Sequence, residues 1–135
     1  MNRITAIITN TQSSGSVTMV DLAVGDCQLS ALMVEASELP AWLCKGNTVS
    51  VVFKETEVSI AKDFTGKISM RNQIECIIKS IERGQLMSII TMESKHFDVQ
   101  SAITTRSVDQ LQLEVGDRVT ALIKANELSL MNHAR

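Results

Sequence analysis

The sequence predicts a mostly β protein made of two tandem small barrels, each of about five strands with one short helix. The first observation is an internal repeat: GNTVSVVFKETEVSI at 46–60 matches GDRVTALIKANELSL at 116–130, at a spacing of 70 residues. A second match at the same spacing pairs NRITAIIT at 2–9 with NQIECIIK at 72–79. Between turn-forming residues, both copies are rich in β-branched and apolar side chains. Matches at both ends of the unit indicate two copies of one domain.

Each copy is predicted to contain five strands and a short helix in the same order. The first-copy strands are predicted at Ile4–Thr9, Val17–Ala23, Leu29–Val34, Val49–Lys54 and Glu57–Ile60. The second-copy strands are predicted at Ile74–Ser80, Leu86–Met92, Phe97–Ile103, Val119–Lys124 and Glu127–Leu130. The short helices are predicted at Ala36–Leu43 and Ser107–Leu113, and the last two strands of a copy are expected to close that same copy. This content is typical of a closed barrel of the OB kind, and we divide the chain into domains at 1–63 and 64–135.

Length and composition place the chain among soluble globular proteins. It has 135 residues, of which 44% are apolar and 21% charged, enough for one domain or two small ones. No apolar run reaches the ~18 residues of a membrane helix, and the first residues lack a signal-peptide pattern. Three spaced cysteines without a CxxC pattern predict buried free thiols. We therefore expect a cytoplasmic protein with no membrane partner.

Charge and aromatic content argue against a nucleic-acid partner. The net charge is −2, and the sequence pI is about 5.7, so no basic surface is indicated. The aromatic side chains are Trp42, Phe53, Phe64 and Phe97, and each lies in an apolar context. Single-stranded nucleic acids need several exposed rings for stacking, so an OB-like barrel that binds nucleic acid is the least favoured hypothesis.

Catalytic signatures are absent from the sequence. The two histidines, His96 and His133, have no neighbouring pattern typical of a triad or a metal site. The sequence also lacks GxSxG, HExxH and phosphate-loop motifs. We expect a binding protein that is not an enzyme and holds no directly ligated metal.

Two short segments and one lysine combine donors in a way that suits an anion. ISMRNQ at 68–73 places a hydroxyl, a cation and amides where a connector becomes a strand; the alternative is a solvated linker with an Asn turn. ITTRS at 103–107 places hydroxyls before a helix, where Thr104 or Thr105 also suits an N-cap and the helix start suits an anion. Lys124 ends a strand, a position that lysine also takes for edge protection.

These segments resemble one known family. GDRVTALIKANELSL at 116–130 resembles the GDxVxALIKAxxVxL signature of the molbindins, the Mop-type molybdate-binding domains within the TOBE group. SMRNQ at 69–73 resembles their SARNQ motif, and ITTRS resembles the hydroxyl-bearing stretch before their short helix. The resemblance covers the whole chain as a tandem of two Mop domains.

The resemblance implies that the chain binds molybdate, or the similar tungstate, through hydrogen bonds and not through metal–ligand bonds. It also implies that the site lies between subunits of a homo-oligomer, a trimer or a dimer. The oxyanion-binding residues implied by position are Ser69, Met70, Arg71, Thr104, Ser107, Lys124 and Ala125. Met70 and Ala125 are expected to contribute backbone amides.

The chemistry of the ligand agrees with these residue types. A tetrahedral dianion offers acceptors and no donors, so its pocket needs cations, hydroxyls and peptide N–H groups and no carboxylate. Sulfate carries the same charge as molybdate, so pocket size must distinguish the two.

The first copy departs from the motif. Its start, MNR at 1–3, lacks the serine, and an apolar residue stands where the second copy has Thr104. Ser37 and Lys54 remain, and we expect them to contribute weakly to any site. The leading hypothesis is therefore molybdate storage and homeostasis by the second copy. The alternative is an effector-sensing or regulatory module that acts through a protein partner in molybdate-dependent transcription or transport.

Overall fold

The computed structural model describes residues 1–34 and 38–133, most of which lie in strands. The strands are β1 (Asn2–Ser14), β2 (Val17–Val24), β3 (Cys27–Val34), β4 (Thr48–Phe53), β5 (Ser59–Ala61), β6 (Asn72–Arg83), β7 (Met87–Glu93), β8 (Asp98–Thr104), β9 (Arg118–Ile123) and β10 (Ser129–Asn132). One helix, α1 (Thr105–Leu111), and two 3₁₀ turns, Glu55–Glu57 and Ala125–Glu127, complete the described elements. The predicted mostly β fold is confirmed.

The alternation of the sequence explains which face of each strand is buried. In β1 the side chains of Asn2, Ile4, Ala6 and Ile8 are buried and those between them are exposed. β6 repeats this pattern over 72–78. Burial of every second side chain is typical of a strand whose sheet has one face on the core and one in solvent. The inward residues of both halves join in one hydrophobic core.

The final strands of the two copies are exchanged. One sheet has the order β10-β4-β1-β2-β3 and the other β5-β9-β6-β7-β8. Ser129 of the second copy therefore pairs with Val52 of the first, and Ser59 of the first copy pairs with Leu122 of the second. The expectation that each copy closes its own barrel is wrong.

The 3₁₀ turns explain why the exchange occurs. The turn Glu55–Glu57 packs against β8 of the second copy, and the turn Ala125–Glu127 packs against β3 of the first. Val58 follows the first turn with 2% of its surface exposed, and its carbonyl accepts a 2.6 Å hydrogen bond from the Ser101 hydroxyl. Each chain segment thus leaves its own sheet before it forms the next strand.

The two predicted helices have different outcomes. In the second copy α1 begins at Thr105, two residues before the predicted start. In the first copy the predicted helix Ala36–Leu43 is wrong over the described residues 38–43, which are irregular apart from a turn at 41–42. Pro40 lies in this segment, and a proline removes a helical N–H donor; its carbonyl instead accepts from the Leu43 amide at 3.0 Å in a turn.

The strands β1 and β6 carry a bulge at the same repeat position. The register of β1 with β2 shifts between Ile8 and Asn10, and that of β6 with β7 shifts between Ile78 and Ser80. The extra residues are Thr9 and Lys79, which are equivalent at the spacing of 70. A bulge bends a strand and re-aims its side chains, so both sheets curve at equivalent places.

The three cysteines are free but differ in burial. Cys76 is buried, and burial raises the pKa of its thiol to about 12. Cys27 is half-buried, and burial likewise raises its pKa. Cys44 is exposed, which corrects the expectation that all three are buried. Separately, no helix among residues 1–34 and 38–133 has the length and apolar character needed to cross a membrane.

Candidate functional site

The pairing of β6 with β9 brings the two predicted cations together. The strands are antiparallel, and Asn72 lies opposite Ile123. Arg71 precedes Asn72 and Lys124 follows Ile123, so the two cations occupy the next opposed positions beyond the last paired residues. Both side chains are exposed. Ala125, also predicted in the site, starts the 3₁₀ turn directly after Lys124.

Asn72 holds this end of β6 against the first half of the chain. Its side-chain oxygen accepts from the Ser30 amide at 2.8 Å, and its side-chain nitrogen donates to the Ser30 carbonyl at 3.0 Å. Asn72 is fully buried, so both bonds are sheltered from water. Ser69 is exposed and Met70 is half-buried in the segment that leads to this anchor. The segments that contain Ser69, Met70 and Arg71 and that contain Lys124 and Ala125 therefore lie at the same end of the β6–β9 pair.

The two hydroxyl residues of the predicted site form the start of α1. Thr104 is the N-cap, and its Oγ1 accepts from the Ser107 amide at 3.1 Å. The same Oγ1 donates to the Ser107 hydroxyl at 2.9 Å. Thr105 is buried and bonds to the Gly84 carbonyl at 2.8 Å. Of the two threonines predicted as possible N-caps, Thr104 is the one that caps the helix. The hydroxyls of Thr104 and Ser107 are hydrogen-bonded neighbours.

The cations and the hydroxyls lie at opposite ends of the second sheet. Thr104, at the end of β8, pairs with Met87 at the start of β7. The next residue of β7, Ser88, pairs with Arg83 at the end of β6. Arg71 precedes the other end of this 12-residue strand. Among the pockets of the described residues, those lined by Arg71 and by Thr104 share no residue. One chain therefore presents two separate parts of the predicted site.

The surface around Thr104 is partly basic and partly apolar. A pocket of about 670 Å³ is lined by Thr104, Arg106 and the exposed Leu86. Arg83 forms a 2.7 Å salt bridge with Asp109 at its edge, and this contact lowers the pKa of the Asp109 carboxyl. The acidic group in this pocket is thereby neutralised, which leaves a net positive surface beside the two hydroxyls.

The equivalent position in the first copy is acidic. Glu55 follows Lys54 directly, where the second copy has Ala125 after Lys124. A hydrogen bond from the amino group of the first residue lowers the pKa of Glu55. Lys54 also shares a pocket of about 250 Å³ with Glu127. Ser37, the other first-copy candidate, lies outside the described residues.

Two features near Arg71 were not predicted from the sequence. The burial of Asn72 was not predicted, although it occupies an inward position in the alternating pattern of NQIECIIK, where an amide needs a partner. Asp21 lines the same pocket as Arg71, and its carboxylate accepts from the Ser30 hydroxyl at 2.9 Å. No local signal marks Asp21, because it reaches Arg71 only through the contact between the halves.

The histidine nearest to charged groups serves a contact between turns. His96, in the turn before β8, bonds through Nε2 to the carboxylate of Asp26 in the turn before β3. Lys95 adds a 3.0 Å salt bridge to the same carboxylate. Within the described part of the chain, no three His, Cys, Asp or Glu residues group in a way that would hold a metal ion.

The sequence and the fold match known proteins that handle molybdenum. Residues 68–130 match the TOBE domain family. The chain is 36% identical over 63 residues to a probable molybdenum-pterin-binding protein of Haemophilus influenzae and covers 91% of that protein. The fold superposes on the cytoplasmic molybdate-binding protein ModG, solved with molybdate bound, with a TM-score of 0.93 and 25% identity over 98% of this chain and 96% of ModG.

Longer relatives contain this module as a part. The chain is 27% identical over 126 residues to the molybdenum transport protein ModE of Herbaspirillum seropedicae. It is 39% identical over 70 residues to the molybdenum import ATP-binding protein ModC of Brucella abortus. The matched region spans 47% of ModE and 20% of ModC, so this chain corresponds to half or less of each of these relatives.

Proposed function

The chain belongs to the molbindin family of Mop-type TOBE domains, and on that premise we propose that it binds molybdate or tungstate by hydrogen bonds, without catalysis. We assign it to storage and homeostasis of the oxyanion in the cytoplasm. We keep residues 1–63 and 64–135 as the two repeat units of the sequence, although their last strands are exchanged.

The opposed positions of Arg71 and Lys124, directly beyond the last paired residues of β6 and β9, carry this proposal. In the described residues, no Asp or Glu oxygen lies within 4.0 Å of the side-chain nitrogens of either residue. Two cations on opposed backbone positions favour an anion that lies between their side chains. At an effective dielectric constant of ~20 and a separation of ~4 Å, each cation gains roughly 4 kcal/mol per unit of negative charge before desolvation. A dianion therefore balances the pair.

The remaining donors agree with an anion that has no protons to give. Ser69 supplies a hydroxyl beside Arg71, and the backbone amides of Met70 and Ala125 are the proposed neutral donors. Charge-assisted hydrogen bonds from Arg and Lys to such oxygens are roughly twice as strong as neutral ones. All five groups donate to the oxyanion.

We propose that a second chain completes the site with Thr104 and Ser107. Within one chain these hydroxyls lie at the far end of β6 from Arg71, so they cannot reach the same ion as the cations of their own chain. They are exposed or half-exposed, beside apolar side chains such as Leu86, which is 78% exposed. Exposed apolar surface of this kind suits a subunit contact. The assembly proposed is a homo-oligomer, a trimer or a dimer.

Complementation between two variants tests the shared site directly. Lys124→Ala chains and Thr104→Ala/Ser107→Ala chains are each expected to bind molybdate weakly when assembled alone. Refolded together, they form some interfaces with all wild-type groups, so calorimetric titration with molybdate should recover tight sites in a fraction of the mixed oligomers. Titrations with tungstate and sulfate should give tight binding and weak binding, respectively. No recovery in the mixture, with oligomers confirmed by light scattering, would contradict a shared site.

A regulatory role through a protein partner is the second candidate. It is favoured by the relatives ModE and ModC, in which a region like this chain is one part of a longer protein. Affinity capture with the purified chain, with and without molybdate, distinguishes the two roles. A single stoichiometric partner that depends on molybdate would favour regulation, and its absence would favour storage.

A further inference from the structure

A polar pocket lies over the first half of the chain, and Arg71 of the second half completes its lining. The pocket measures about 400 Å³, within the range of small-molecule sites. Its polar lining consists of Thr9, Asp21, Gln28, Ser30 and Arg71. Leu22 and Leu29 lie at its base with 1% and 3% of their surfaces exposed. It thus lies over β2 and β3, with Arg71 reaching it from the second copy.

The same positions in the second half are filled by their own contacts. Lys79, the bulge residue equivalent to Thr9, forms a 3.1 Å salt bridge with Asp98, which is equivalent to Gln28 at the spacing of 70. Gln100, equivalent to Ser30, donates to the Thr91 hydroxyl at 3.2 Å. The two halves share one scaffold, and the first half has the shorter Thr9 and Ser30 where the second has Lys79 and Gln100, with no salt bridge equivalent to Lys79–Asp98.

Arg71 and Asp21 give the pocket one charge of each sign. They do not form a salt bridge with each other within 4.0 Å. Oδ1 of Asp21 accepts from the Ser30 hydroxyl at 2.9 Å, which leaves its second carboxylate oxygen available to a ligand. A dianion without protons would be repelled by Asp21. The pocket thus shares Arg71 with the proposed oxyanion site but differs from it by the carboxylate of Asp21.

We propose that this pocket binds a small zwitterion that carries a carboxylate and an ammonium group, such as an α-amino acid. Arg71 holds the carboxylate through its planar fork of N–H donors, and Asp21 holds the ammonium. Thr9 and Gln28 offer a hydroxyl and an amide to a polar side chain. The lining carries no net charge, which a zwitterion matches and an anion or cation does not. Because a guanidinium has five N–H donors, Arg71 can serve both this ligand and the neighbouring oxyanion, and the proposal does not depend on molybdate binding.

Four small probes test the charge requirement. L-serine and glycine contain both groups, acetate lacks the ammonium group and methylamine lacks the carboxylate. The expected result is saturable amide shifts at Leu22 and Leu29 in two-dimensional NMR spectra of the full chain with glycine or L-serine. Acetate and methylamine should bind about tenfold or more weakly, because each leaves one charged group of the pocket without a partner. Absence of saturable shifts with both amino acids, or equal binding of acetate, would overturn the proposal.

The repeat supplies the matched variants. Thr9→Lys/Gln28→Asp places the Lys79–Asp98 salt bridge of the second half into the first, and it should abolish amino-acid binding while molybdate binding is kept. Lys124→Ala should weaken molybdate binding and leave amino-acid binding unchanged. The two variants therefore test the amino-acid pocket and the oxyanion site separately. If the double variant does not fold, Asp21→Asn removes the carboxylate and keeps an acceptor for Ser30; it should weaken glycine binding about tenfold or more. Unchanged binding in a folded variant would overturn the assignment.

Discussion

Asn2 and Asn72 make the same contact in opposite halves of the molecule. Asn72 bonds to both backbone groups of Ser30, and Asn2 bonds in the same way to Gln100, with distances of 2.9 Å to its carbonyl and 2.8 Å from its amide. Ser30 and Gln100 are equivalent at the spacing of 70. Each half thus uses a buried asparagine to hold the outer strand of the other half. The relation approximates a twofold axis within one chain.

Asn72→Ala should destabilise the fold and also weaken molybdate binding. The change leaves two backbone groups of Ser30 without partners, at a cost of about 2–4 kcal/mol. Asn2→Ala is the matched control, because it should reduce stability similarly but lies away from Arg71. Urea unfolding measures stability, and calorimetry at a temperature where both variants are folded measures affinity. Equal molybdate affinities in the two variants would show that Asn72 does not position the cation.

Lys124→Ala should reduce molybdate affinity by about tenfold or more, because it removes one of two charges opposite a dianion. Lys54 is the equivalent residue in the first copy and lies beside Glu55, so Lys54→Ala should change the molybdate affinity little. Both lysines are exposed, so neither change is expected to alter the unfolding midpoint substantially. Calorimetric titration of the two variants in parallel checks the difference. A larger effect of Lys54→Ala would place the site in the first copy.

Variants of Thr104 and Ser107 should distinguish the effect of helix capping on stability from the effect of the hydroxyls on molybdate affinity. Thr104→Ala removes the N-cap of α1 and should cost about 1 kcal/mol of stability, whereas Ser107→Ala keeps the cap. Both should weaken molybdate binding, since both remove a hydroxyl donor. Thermal unfolding without ligand and titration with ligand provide the two readouts. If only Thr104→Ala affects affinity, the hydroxyl of Ser107 is not a ligand.

The contact of Asp26 with His96 and Lys95 predicts a pH-dependent contribution to stability. Hydrogen bonds from His96 and then from Lys95 lower the pKa of Asp26 to about 2 from 3.8. The pKa of Asp26 is lower in the folded state than in the unfolded state, so its carboxylate stabilises the fold above about pH 4. That stabilisation is lost as the pH falls toward about 2. Asp26→Asn should therefore unfold at lower urea than the parent at pH 6, and most of this difference should be lost by about pH 2. A difference at pH 2 as large as that at pH 6 would exclude this origin.

The exchanged strands predict that neither half is a stable monomer. Residues 64–135 alone lack β5, so one edge of their sheet is left unpaired, and β10 has no β4 to join. We expect this fragment to be unfolded or to dimerise by mutual exchange, and to form a 1:1 complex with residues 1–63 on coexpression. Size-exclusion chromatography with light scattering measures the states. A folded monomer of 64–135 would show that the exchange is not required.

Local patterns were sufficient for much of the fold. Strand positions, the repeat and the second-copy helix follow from side-chain alternation, β-branched content and the cap at Thr104, all of which act between near neighbours. The first-copy helix predicted at Ala36–Leu43 is absent over the described residues 38–43, where Pro40 lacks a backbone donor. The motif segments of the candidate site were also recognisable, because each lies within a few consecutive residues.

The sequence by itself determined that two copies of one strand-rich unit exist and that the donor-rich segments lie within the second copy. Only the tertiary structure decided that the last strands cross over, that Arg71 lies beside Lys124, and that Thr104 lies at the far end of the same sheet. These relations join residues that are far apart in the chain. The alternation of buried and exposed side chains in a strand is the same whichever sheet the strand joins, so local patterns cannot predict them. Packing of the 3₁₀ turns on the opposite half and the hydrogen bonds of Asn72 to Ser30 select one arrangement.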